Sequence, residues 1–158
     1  MHPPLELKIL EVKRELWGLF RNYHYLNTDE LNFCTCYAAF LDGNPVAFLA
    51  VRHVKMKSEY FAVSRVVVLP DYQGVGIGRR LVTFVAEHYR SRTHRSFRLV
   101  TSNPQFVYGK MPGWRLVRVG RSGRLDNASF RQRFGGAYTS SSRNRLTVTL
   151  EYLGVLKA

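Results

Sequence analysis

"VVVLPDYQGVGIGRRLVTFV", residues 66–85, decides the fold. An apolar run of strand character stops at Pro70. Three glycines follow at alternate positions, Gly74, Gly76 and Gly78, and Arg79 and Arg80 come directly after them. Beyond the arginines the apolar residues recur at helical spacing, with Leu81, Phe84, Val85 and His88 on one face of a helix expected over 78–91. Glycines between a strand and a helix fit a phosphate site. Without a Cβ the backbone can approach the ligand, and the helix N-terminus offers free N–H groups and the positive end of its dipole.

Spacing excludes two familiar phosphate loops. A Walker loop requires G-x-x-x-x-G-K-[ST], but Arg79 and Arg80 follow the last glycine, with no lysine or hydroxyl in place. A dinucleotide fingerprint requires G-x-G-x-x-G and an acid about 20 residues on. Arg79 stands where the third glycine belongs, and no acid occurs between Glu87 and Asp126.

The rest of the chain reads as one domain, 1–158, long enough to bury a sizeable core. No apolar run approaches the roughly 20 residues that span a bilayer, so no membrane partner is expected. "MHPPLELKILEVKREL" at the start carries acids and no apolar signal core, which implies a cytoplasmic location. Cys34 and Cys36 sit two apart in a strand-like stretch and face one side. That spacing suits neither a zinc knuckle nor a redox pair, so buried thiols and no metal site are expected.

Residues 5–25 are expected to form an amphipathic helix with Ile9, Val12, Leu16, Leu19, Phe20 and Tyr23 on its stripe. "FCTCYAAFL" (33–41) and "PVAFLAVRHV" (45–54) read as strands joined by a "DGN" hairpin turn. "EYFAVSRVVVL" (59–69) completes an antiparallel meander. After the glycine helix, "FRLVTS" (97–102) is a buried strand, "NPQFVYGKM" a short helix, and "WRLVRVG" (114–120) and "RLTVTLEYL" (145–153) further strands.

Charge is uneven. The formal net charge is +13, yet residues 1–89 carry only +1 and residues 90–158 carry +12. Eighteen of the 24 basic residues are arginine, which forks onto phosphate and stacks on bases. A one-sided cationic surface attracts polyanions, so nucleic acid is the expected partner. Between the last strands, 121–144 is rich in Arg, Ser and Gly and includes Phe130, Phe134 and Tyr138. Such a stretch reads either as a solvated loop or as a polyanion arm with stacking groups.

"QGVGIG", Gln73 to Gly78, matches Q/R-x-x-G-x-G/A and resembles the acyl-CoA loop of the GNAT N-acetyltransferase superfamily. The strand before it and the helix after it follow that family's order. The resemblance implies an α/β (α+β) GNAT fold, a mixed, mostly antiparallel sheet flanked by helices and splayed at the acyl-CoA site. It implies an acyl-CoA-dependent N-acyltransferase using acetyl-CoA or another acyl-CoA. The pyrophosphate-binding segment maps to Gln73, Gly74, Val75, Gly76, Ile77, Gly78 and Arg79, and the pantetheine-pairing strand to Val66, Val67 and Val68. A strand N–H then stabilises the oxyanion, and the amine attacks directly, so neither cysteine is needed as a nucleophile.

Some members of that family carry a glutamate base on this strand. Here the chain has Ser64 and Arg65. Arg65 is either a packed stem with an exposed head or a group at the acyl or acceptor site. Family members often protonate the leaving thiolate with a tyrosine, for which Tyr108 is the nearest match. His24 and Tyr25, in "FRNYHYLN", fall where the family walls its acceptor pocket, and a histidine there can take a proton near neutral pH.

His24, Tyr25 and Arg65 with the "TSNP" turn also resemble the Mom-type phage enzymes that modify adenine in DNA, although Asn103 replaces an aspartate of that pattern. "YHYLN" and "SRNRLTVTLEYLG" are similar to acetyltransferase-like domains of phages and mobile elements. These likenesses and the charge imply an acceptor amine on nucleic acid or on a protein bound to it. A flipped or single-stranded base would be required for a paired one. Two other classes fit the sequence. One is a small-molecule or protein N-acetyltransferase, and the other a non-catalytic nucleic-acid module with this fold.

Overall fold

The computed structural model describes residues 6–23, 34–121 and 146–154. Asp42 and Gly43 both take positive φ, 52° and 81°, as a two-residue type I′ hairpin turn requires. They join β2 (Cys34–Leu41) to β3 (Asn44–Lys55), and β3 runs back along β4 (Glu59–Val68). The expected meander is therefore present. Beyond β4 the chain crosses over through α1 (Ile77–Arg92) and returns as β5 (Phe97–Thr101), parallel to β4. A short α2 (Pro104–Val107) leads to β6 (Trp114–Arg121) and β7 (Leu146–Tyr152). β7 inserts between β5 and β6, antiparallel to both. With β1 (Lys8–Val12) at the other edge, the seven strands run β1-β2-β3-β4-β5-β7-β6. Only the β4–β5 pair is parallel, so the sheet is mixed and mostly antiparallel, as the resemblance implied.

The first segment corrects the expectation of a helix over 5–25. Lys8–Val12 pairs with Cys36–Phe40 as an edge strand. Two 3-10 turns follow, Arg14–Leu19 and Arg21–Tyr23. The apparent stripe arose because a strand followed by a three-residue repeat also spaces apolar residues at three and four. The residues actually buried are Trp17 and Phe20, one 3-10 turn apart, while Leu19 is 58 % exposed.

The sheet separates two cores. On one face α1 packs Ile77, Leu81, Val82, Val85 and Ala86 against Leu49, Val63, Leu99 and Leu150. Phe84, expected on that face, is 54 % exposed, because the buried stripe runs through adjacent pairs four residues apart. Thr83 accepts a hydrogen bond from Trp114 Nε1 at 3.1 Å, and Tyr152 donates one to Glu87 at 2.7 Å. These bonds fix the rotation of the helix. On the other face Trp17 and Phe20 cover Cys36, Phe48, Ala50 and Val67. Neither Cys34 nor Cys36 forms a disulfide, and of the two thiols expected to be buried Cys36 is buried while Cys34 is only half-buried. Among the described residues no helix is long and apolar enough to cross a membrane.

Candidate active site

The site begins with a register shift. β3 and β4 slip between Ala50 and Val51, which leaves Ser64 as the extra residue in β4. Such a bulge bends its strand. β4 and β5 pair only from Phe61–Val63 to Phe97–Leu99, and past the bulge they part. Leu69 donates its N–H to Val46 O at 2.9 Å. Antiparallel alternation then turns the N–H and C=O of Val66 and Val68 away from β3, into the gap. The expected splay is present, and its wall is strand backbone without a neighbouring strand.

The gap opens into two adjoining cavities. One, about 250 Å³, is lined by Tyr23, Val66, Val67, Val68, Gln73, Ser102, Asn103 and Pro104. The other, about 260 Å³, lies between Val68, Tyr72, the glycine loop, Gln105 and Phe106. Val68 and Gln73 border both. The far wall is held by local sequence. Thr101 Oγ1 accepts from Asn103 N–H at 3.0 Å, Asn103 caps Gln105 N–H, and Pro104 opens α2 where a missing N–H costs nothing.

The glycine loop is a cradle of backbone. Gly74 and Gly76 take φ of 86° and 84°, a left-handed conformation that side-chain-bearing residues avoid. Gly76 is the N-cap of α1. The first helical hydrogen bond is Arg80 N–H to Gly76 O, 3.1 Å. The amides of Ile77, Gly78 and Arg79 therefore have no acceptor within the helix and lie at its positive end. Gly78 serves a different need. A Cβ there would sit 3.2 Å from Val68 Cγ2 and 3.4 Å from Phe106 Cζ, so its absence lets α1 close on β4 and α2. Gln73 Nε2 donates to Val68 O at 2.9 Å and holds the loop against the strand end. Arg79 donates from Nη1 to Lys110 O, 3.1 Å, while its Nη2 lies 3.3 Å from where a Cβ on Gly76 would stand, so amide and guanidinium both border the cradle. No carboxylate lines either cavity among the described residues. This donor set fits a diphosphate.

The remaining expected site residues fall as follows. Arg65 lies on the face opposite α1, its guanidinium 5.1 Å from the centre of the Trp17 ring. It lines neither cavity, while its strand neighbours Val66 and Val67 line the first. Tyr108 ends α2, 77 % exposed, and lines neither cavity. His24 and Tyr25 lie outside the described residues, as does the arginine-rich stretch 122–144. Tyr72, Gln105 and Phe106 line the second cavity without having been expected there, whereas Trp17 lines neither cavity and packs in the core beneath Arg65. "TSNP" announced a turn, but nothing in "ELWGLF" marked Trp17 as a platform for Arg65.

Known proteins share this fold. A Bacillus subtilis acetyltransferase crystallised with CoA superposes with a TM-score of 0.63 at 14 % identity, covering 96 % of this chain and 100 % of that one. Arabidopsis thaliana NAA60 with acetyl-CoA gives 0.64 at 14 %, covering 93 % and 98 %. A GNAT acetyltransferase of Streptococcus pneumoniae gives 0.61 at 18 %, covering 94 % and 99 %. At these identities the likeness speaks for the fold. No curated protein sequence matches the chain. The sequence profile of the acetyltransferase (GNAT) family matches residues 7–106, which span the edge strand, the meander, the cradle and the turn beyond β5. The chain belongs to the acetyltransferase (GNAT) family.

Proposed function

We propose that this chain transfers the acetyl group of acetyl-CoA to an amine carried on nucleic acid or on a protein bound to it. The carrying observation is the continuity of the cradle with the edge of β4 at Val66–Val68, which β5 does not pair. The amides of Gly74 to Arg79 would hold the diphosphate, and the Val66–Val68 edge would align the pantetheine arm. Acetyl-CoA supplies the activated thioester carbonyl. The amine attacks it directly, its proton is removed, and the thiol leaves protonated.

The chain's own groups supply the rest. The N–H of Val66, turned into the gap, is a fixed donor for a developing oxyanion. Tyr23 and Arg65 stand on the acceptor side. Tyr108 follows the cleft wall of Asn103 and Pro104 by one turn of α2 and is the proposed general acid. His24, outside the described residues, is the proposed base. The finer acceptor reading rests on the +12 of residues 90–158.

Acetyl-CoA should raise the melting temperature of the protein, and an unchanged curve in excess acetyl-CoA overturns the donor. Mass spectrometry of nucleosides and proteins, after expression of the intact chain and of its Gly76→Glu variant, identifies the acceptor. Acetylation found only on free small molecules or on proteins unconnected with nucleic acid overturns the acceptor. Turnover left intact by both Tyr108→Phe and His24→Phe removes their proton-transfer roles.

A further inference from the structure

The register places five arginines on one face of the sheet. Residues directly opposite in neighbouring strands share a face. Arg52 pairs with Ala62, Ala62 with Arg98, Arg98 with Glu151, and Glu151 with Arg115. Arg52, Arg98 and Arg115 thus occupy alternate strands of one row, about 9–10 Å apart. In the next row Thr149 lies between Val100 and Arg118. Arg65, beyond the bulge in β4, stands on the same face beside the acyl cleft.

This is the face opposite α1. The 3-10 turns cover it only over β2, β3 and β4. Over β5, β7 and β6 no described helix lies on it, and Val100 is 51 % exposed there. The single acid in these two rows, Glu151, is already bonded by Arg115 at 2.7 Å and Ser96 at 3.0 Å. The positive charge of the face is therefore left in excess. Arg98 carries its guanidinium over the Tyr60 ring, 4.5 Å from the centroid. A guanidinium placed over an aromatic ring offers, with that ring, planar groups against which a base can stack.

We infer that this open face is the track on which a single-stranded nucleic acid lies, leading past Arg65 to the acyl cleft. The inference rests on the nucleic-acid reading above and names its surface. Charge complementarity chooses a polyanion, and the Arg98–Tyr60 stack chooses one with bases rather than an acidic protein segment. A single strand is chosen because reading a duplex groove calls for an inserted helix or ribbon, and none projects from this face among the described residues. A strand splayed on a sheet, with phosphates on arginines and bases on planar groups, satisfies these features together.

The test is fluorescence anisotropy with labelled 12-nucleotide single-stranded DNA and RNA, a duplex of equal length and a polyglutamate peptide, across a salt series. The variants are Arg98→Gln/Arg115→Gln/Arg118→Gln, Arg118→Gln alone, Tyr60→Leu, and a control replacing Lys55, Lys57 and Arg92 by glutamine. A retained melting shift with acetyl-CoA certifies folding, and the single Arg118 variant serves if the triple variant fails to fold. The expected result is tighter binding of single strands than of duplex or peptide. The triple variant should then bind at least about tenfold more weakly, its log–log salt slope shallower by about 2, from about 0.7 per lost phosphate contact. The control should be unchanged and Tyr60→Leu several-fold weaker. If the wild type binds oligonucleotide and the sheet variants bind equally well, this surface is wrong while the acceptor reading stands. If the wild type binds no nucleic acid, the acceptor reading fails and takes this surface with it. If the peptide binds as tightly as the oligonucleotide, the occupant is an acidic protein and the inference is overturned.

Discussion

The cradle and the acceptor side meet along Val66–Val68 but are built in opposite ways. The cradle comes mostly from one continuous stretch, Val68 to Arg79, and presents backbone: amides at a helix start and two glycines in left-handed geometry. The proposed acceptor side groups Tyr23 and Ser102–Pro104, which line the first cavity, with Arg65 and the Trp17 ring beneath it, three separated segments whose side chains would do the selecting. Backbone donors are fixed by the fold, suit one group of fixed chemistry, and tolerate almost no added atom. Side-chain walls can be exchanged singly. Substitutions in the cradle should therefore weaken donor binding while the fold persists. Those on the acceptor side should change acceptor use and leave the donor alone.

The largest expected effect is at Gly76. Gly76→Glu places a side chain where φ is 84°, which costs about 1–2 kcal/mol in backbone strain. It also sets a carboxylate at the mouth meant for a diphosphate. A hydrogen bond to a charged group is worth about 1.5–3 kcal/mol, so losing one or more should weaken acetyl-CoA by about 100-fold or beyond. Calorimetry checks the affinity, and circular dichroism checks that the fold persists. A variant that binds acetyl-CoA normally would break the comparison at its stronger end.

Gly78→Ala tests packing in the same loop without adding charge. Its Cβ would meet Val68 at 3.2 Å and Phe106 at 3.4 Å, so α1 must lift slightly from β4. The expected cost is about 1–3 kcal/mol of stability, with an acetyl-CoA affinity lower by about tenfold. Urea unfolding and calorimetry measure the two separately. An unaltered affinity at reduced stability would show that the amides of the first turn adapt.

These two variants sit where the sequence was most legible. The cradle, the strands of the meander and the helix after them are encoded locally: turn residues, alternation, and glycines whose spacing excludes other loops. The acceptor side was not. Trp17 is carried beneath Arg65 by a 3-10 turn, and no local pattern distinguished that turn from one flank of a helix. The arginine face was hidden for another reason. Arg52, Arg98, Arg115 and Arg118 are far apart in sequence, and only the register brings them into two rows. The charge asymmetry at residue 90 marks the half of the chain that carries Arg98, Arg115 and Arg118 but not Arg52 and Arg65.

On the acceptor side, Trp17→Leu keeps an apolar group in the pocket beside Phe48 and removes the ring beneath Arg65. A cation–π contact of about 1 kcal/mol corresponds to about a fivefold rise in KM for whichever acceptor supports turnover. The KM for acetyl-CoA should stay constant. Steady-state kinetics with each substrate varied in turn gives both numbers. An equal rise in the two would mean that Trp17 shapes the whole cleft, and the division into cradle and acceptor side would lose its sharpest support.

The smallest effect on activity is expected at Cys36, which lies against the acceptor-side core. Burial first, and the neighbouring Cys34 second, push its thiol up from 9.0 to about 11. At neutral pH it is a thiol and not the thiolate that attacks esters, so direct transfer to the amine requires nothing of it. Cys36→Ala should leave turnover at pH 7 unchanged, and no acetylated cysteine should be trapped by mass spectrometry. The same shift predicts a stability difference with a definite sign. A group whose folded pKa is raised contributes stability that is complete below its unfolded value and is lost as pH rises through the folded one. The contribution of Cys36 is therefore full below about pH 9 and disappears by about pH 11. Urea midpoints of wild type and variant should converge across that window if the thiol titrates as its burial dictates. A covalent acetyl-enzyme on Cys36, or a variant without turnover, would move the chemistry onto the protein and dissolve the division of labour between a backbone that holds the donor and side chains that choose the acceptor.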